Sequence, residues 1–160
     1  MTDAPRTRTW RGIESFDPPA LAHDFDALLA MARSMLESRR KGFPAKIATG
    51  ELSSEDAAFE IAIFEEMVAD WEFIASAGSQ GEPAPVDTRA ARRDALDASI
   101  ATIAGIARSQ RGFTKTLMRQ AEAVIALRWH LEPGRDQVAL ARLTNQLRSD
   151  ARAAQQKKAA

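Results

Sequence analysis

Among the side chains that could do chemistry, the basic residues of the C-terminal half are the most ordered in spacing. Arg108, Arg111, Lys115 and Arg119 lie three and four residues apart, so an unbroken helix would carry them on one face. A stripe of that kind neutralises phosphates and releases their counterions, which makes these four the candidate nucleic-acid contacts. Arg89, Arg92 and Arg93 form a second cluster, and Arg148, Arg152, Lys157 and Lys158 a third. The competing reading pairs these cations with an acidic helix of the same chain or leaves them in solvent. The zero net charge favours that reading.

Other chemistry has little support. Carboxylate metal centres in helical bundles use Glu-x-x-His pairs, and neither His23 nor His130 has an acidic residue three positions before it. Asp24 and Asp26 beside His23 read as a solvated helix start. Glu65, Glu66 and Asp70 point in different directions around a helix and read as a solvated face. There is no Gly-x-Ser-x-Gly elbow, no phosphate-cradling glycine loop, no dinucleotide fingerprint and no cysteine. The pattern implies no catalytic residue, metal, cofactor or small-molecule substrate, and an enzyme is the third-ranked reading.

Helices must position whatever these residues do. The 160 residues suffice for a single hydrophobic core without disulfides or metal. The absence of cysteine suits a reducing compartment, and no secretory-type apolar run or membrane-length segment occurs, so a cytoplasmic protein without a membrane span is expected. The 32 alanines, and 17 arginines against 5 lysines, suggest a GC-rich bacterial genome. Charge is strongly segregated. Residues 1–46 carry +2, residues 47–88 carry −10 with no basic side chain, and residues 89–160 carry +8.

Residues 1–17 read as an N-terminal arm whose Trp10, Ile13 and Phe16 dock on the body. A single helical domain is expected over 18–155, with a frayed tail at 156–160. Its first half is a helical hairpin over 18–77. One helix runs from about Pro19 to Lys41, Gly42-Phe43-Pro44 interrupts it, and one or two further turns follow to Thr49. Gly50 then ends the helix, Leu52 folds back on it, and Ser53 caps a second helix with Asp56 three residues on. Phe59, Phe64 and Trp71 on that helix read as core. Residues 78–86 form a linker rich in glycine and proline, and Asp87 is the expected cap of the C-terminal helices over 87–155. Spacing alone leaves open whether 87–111 and 113–131 are one helix with a flaw at Gly112. Trp129, next to a Pro-Gly turn, would mark a protein interface if exposed. The last helix uses Leu140, Leu143 and Leu147. No segment reads as a strand.

Arg39-Arg40, Phe43-Pro44, Gly50, Leu52-Ser53, Asp56-Ala57, Phe64 and Asp70-Trp71 together resemble a segment of small uncharacterised phage and prophage helical proteins. In those a basic helix end, a G-x-[LM]-[ST] turn and an acidic helix follow one another. The resemblance covers about residues 39–71 and implies no known activity. A helix-turn-helix reader at this turn is disfavoured, because no Lys or Arg lies between Ser54 and Ala77. The expected fold is an all-α bundle of four or five helices built on an antiparallel hairpin. The expected role is a non-enzymatic interaction or assembly protein in a bacterial or phage setting, acting on a protein partner or a second copy as a homodimer. The alternative is a nucleic-acid-associated accessory protein using the basic C-terminal half.

Overall fold

A computed structural model describes residues 4–85 and 88–160. The N-terminal arm contains a β-hairpin, which the sequence reading missed. β1 (Thr7–Trp10) pairs antiparallel with β2 (Ile13–Phe16) in the register Trp10↔Ile13 and Thr7↔Phe16. The two turn residues, Arg11 and Gly12, both have positive φ (50° and 91°), as a tight turn that matches strand twist requires. Alternation along the strands puts Trp10, Ile13 and Ser15 on the buried face. Phe16 falls on the opposite face and is 55% exposed, so it does not dock as expected. A two-stranded hairpin is marginal by itself. This one is held by Trp10 and Ile13 in the core, by Arg8 to Glu132 (2.8 Å) and by the Ser15 hydroxyl donating to Glu122 (2.9 Å).

Five helices follow among the described residues. α1 (Phe25–Ala48) starts later than Pro19, because Asp24 is its cap and accepts from the Ala27 N–H at 3.1 Å. Residues 19–24 instead make short turns, with Ala22 N–H bonded to the Pro19 carbonyl. The helix also runs straight through Gly42-Phe43-Pro44, correcting the expected interruption. Pro44 lies on the exposed side, so the lost helix bond falls there and not in the core, while Phe43 is buried and holds that turn to the core.

The hinge has the expected helix stop and cap, but among the described residues the Asp56 carboxylate returns no bond to the Ser53 N–H. Gly50 takes φ 78°, its N–H bonds the Ile47 carbonyl, and the Leu52 N–H returns to Lys46. The Ser53 hydroxyl accepts from the Asp56 N–H at 3.1 Å and starts α2 (Ser54–Ala75). The expected cap Asp87 lies outside the described residues; Thr88 stands at the cap position of α3 (Arg89–Ser109) and donates its hydroxyl to Glu66. Arg111 (φ 57°) and the Gly112 N–H to the Ala107 carbonyl (2.8 Å) end α3, and the Thr114 hydroxyl caps α4 (Lys115–Trp129). The two segments are therefore separate helices. α5 (Gln137–Ala159), capped by Asp136, continues through the stretch expected to fray.

The fold is all-α apart from the small hairpin. α1 packs on α2 and α3 on α4, while α1–α4 and α2–α3 contacts close the square. Leu28, Phe64, Met67, Leu96, Ile100 and Ile125 fill its centre with almost no exposure. α5 lies outside, against α2. Its approach is close at Gly78, where a Cβ would stand 2.5 Å from the Ala141 carbonyl oxygen.

Candidate functional site

The acidic charge of α2 is spent mainly on its neighbours. Arg39 donates to Glu60 at 2.9 Å, Arg33 to Glu72 at 3.0 Å, and Arg40 approaches Glu65 at 3.9 Å, all from α1. From α3, Arg92 reaches Asp70 at 2.6 Å and Glu66 at 4.0 Å. Arg92 is only 8% exposed, and its Nε also donates to Thr88. Asp70 uses its other oxygen to accept the Ala84 N–H at 2.7 Å, which ties the linker down. Arg89 donates to the backbone carbonyls of Leu131, Glu132 and Arg135, closing the C-terminal end of α4. Arg89 and Arg92 of the second basic cluster therefore serve the architecture.

The aromatic region at this end of the bundle is also internal. His130 is buried among Phe25, Trp71 and Trp129, and its Nε2 lies 2.6 Å from the Ala22 carbonyl oxygen. Burial holds its pKa below the usual histidine value, against the opposing bond to Ala22 and with small help from His23 and Arg135. The ring is neutral and Nε2 is the donor; among the described residues Nδ1 has no partner. It borders a cavity of about 50 Å³ beside Arg92 and Arg135, with room for a few waters. Trp129 does not stand free at an edge: its indole donates to Asp17 at 3.2 Å, and the Arg135 guanidinium stacks on it at 3.7 Å.

Unsatisfied surface concentrates elsewhere. Arg108 ends α3, Arg111 sits in the turn, Lys115 opens α4, and Arg119 follows one turn later. The break at Gly112 means that they surround a turn and do not line one helix face. All four are exposed, and among the described residues none forms an ion pair. The pairing with Glu60–Glu72 that would have neutralised them does not occur. Apolar side chains are exposed beside them: Ile106 at 46%, Phe113 at 38% and Met118 at 37%. Phe59, read as core, is 63% exposed near the other turn, because the core face of α2 is filled by Ile63, Phe64 and Met67. A groove of about 560 Å³ opens between the two helical hairpins at this end, with Met35, Phe43, Ile103 and Val124 among its walls.

α5 is the second unsatisfied element. Only Ala141 is buried along it, and every residue from 146 on is exposed. Leu140, Leu143 and Leu147 are 54%, 55% and 59% exposed and share one face, turned away from the face that Ala141 presents to the bundle. Their spacing was visible in the sequence; their exposure was not, since a stripe reads the same whether or not a neighbour covers it. Among the described residues no helix is long and apolar enough to cross a membrane. Compared with protein families, with curated proteins and with solved structures, the chain matches none.

Proposed function

We propose that this chain is a non-enzymatic interaction or assembly protein, working by helix-face packing in a cytoplasmic, bacterial or phage setting. The observation that carries the reading is the leucine face of α5, more than half exposed on a helix whose residues from 146 on are all exposed. In proteins most helical stability comes from packing of an amphipathic face, and α5 leaves its leucine face uncovered. Apolar residues at i, i+3 and i+7 are the anchors by which a helix enters a partner's groove. The bacterial or phage setting is carried over from the sequence reading alone, from the pattern of residues 39–71 and the alanine- and arginine-rich composition.

The test places a photo-crosslinker at Leu143 in cells of the source organism. A discrete crosslinked species that disappears with Leu140→Glu/Leu147→Glu, in a chain that still folds, supports the reading. Absence of any crosslink, with a monomer at every concentration, refutes it.

A nucleic-acid accessory role is the second reading, favoured by the exposure of Arg108, Arg111, Lys115 and Arg119 without acidic partners among the described residues. Phosphate contacts by four cations predict a log–log salt slope of about −3 to −4 for duplex DNA. No binding at low salt removes this reading.

A further inference from the structure

We infer that the open end of the bundle is a self-complementary docking face for a second copy of this chain. The α1–α2 hinge and the α3–α4 turn lie at the same end, since Lys46 of the last turn of α1 and Ile106 of the last turn of α3 line one groove. The two halves of that end carry opposite charge. The hinge half presents Glu51, Glu55 and Asp56, all exposed, with Lys46 as the basic residue of the adjoining helix end. The turn half presents Arg108, Arg111, Lys115 and Arg119, and from Ala98 to Ala121 the sequence holds no acidic residue.

Each half also has exposed aromatic or apolar surface. Phe59 follows Glu55 by four residues and Asp56 by three, so all three share one face of α2. Phe113 and Met118 stand among the basic residues of the turn. A two-fold axis running between the two hairpins brings the acidic half of one copy onto the basic half of the other, twice. The contact combines exposed apolar side chains with opposite charges, the two ingredients of a specific interface. Phosphate is a poorer occupant of the same face, because the hinge carboxylates would repel it. This inference uses a different surface from the leucine face of α5 and does not depend on it.

Sedimentation of the full chain tests it. The wild type is expected to dimerise at about 50 mM salt and to dissociate toward monomer at about 500 mM, where charges beyond a few ångströms are screened. Glu55→Lys/Asp56→Lys and Arg111→Glu/Lys115→Glu should each weaken dimerisation by about tenfold or more. Mixing the two variants should restore a heterodimer, which also shows that both are folded. The neutral pair Glu55→Gln/Asp56→Asn, with smaller effect on the helix start, should weaken the dimer to an intermediate degree. Leu140→Glu/Leu147→Glu should leave the dimer unchanged, so failure of the α5 reading and failure of this one are distinguishable. A wild type that stays monomeric at every salt and protein concentration overturns the proposal. So does a dimer that ignores both charge reversals, or duplex binding at the turn without self-association.

Discussion

Replacing Arg92 by methionine keeps most of the side-chain volume and removes the guanidinium that Asp70, Glu66 and Thr88 share. Arg92 is buried and the side chain of Asp70 is 13% exposed, so beyond the few waters that fit the adjoining cavity the carboxylate has little solvent to turn to. Removing one member of a buried pair costs about 3–5 kcal/mol, because the other charge stays behind without compensation. Asp70 keeps the Ala84 N–H, which sets the expectation near the lower end, at about 3 kcal/mol. For a chain of this size that is a fall of about 6–12 °C in Tm. Urea unfolding followed by circular dichroism measures it, with Arg40→Met as the internal comparison. Arg40 also faces α2, but its pair with Glu65 is long at 3.9 Å and both side chains are half exposed, so its loss should cost under about 0.5 kcal/mol. A second comparison, Arg92→Met/Asp70→Asn, removes the stranded charge and should recover roughly half of the loss. If Arg92→Met costs less than about 1 kcal/mol, the ion pair does not lock α3 to α2 and the reasoning fails.

Gly78→Ala should destabilise by about 2 kcal/mol or more, since the residue has φ 82° and the new methyl would meet Ala141 and Asn145 of α5; hydrogen exchange should report loosening of α5 first. Ser53→Ala removes the cap of α2 and should cost about 1 kcal/mol in the same urea assay. His130 is neutral in the native state with its pKa lowered, while the unfolded chain takes up a proton near the ordinary value of 6.5. Its contribution is therefore complete above that value and is lost as pH falls through it toward the lowered native value, so urea midpoints should drop on acidification; His130→Gln should flatten that slope, and an unchanged slope refutes the assignment.

The helical architecture was legible wherever local chemistry acts alone. Gly50, Leu52, Ser53 and Asp56 mark the hinge because positive φ and side-chain capping depend on a few consecutive residues. The hairpin at 7–16 was not legible, because Arg11 is not a residue that favours positive φ and because four-residue strands of threonine, arginine and serine carry a weak period. Its stability comes from Trp10 and Ile13 entering a core built by distant helices. Pro44 misled for a related reason: the burial of Phe43 outweighs one lost hydrogen bond on an exposed helix side. Charge segregation was visible, but its pairing was tertiary. Arg33, Arg39 and Arg40 take up much of the acidic helix from α1, which leaves the basic turn at Arg108–Arg119 outside that network.

The close contact at Gly78 makes α5 a lever. The bundle grips it around Ala141 and Asn145, and residues 146–159 extend beyond that grip by about 21 Å at the helical rise per residue. A tilt of about 10° at the grip therefore carries the far end through about 4 Å, more than half of the roughly 5–6 Å between neighbouring side chains on a helix surface. A shift in the loop that holds Gly78 is thus magnified along α5 and is largest at its tip.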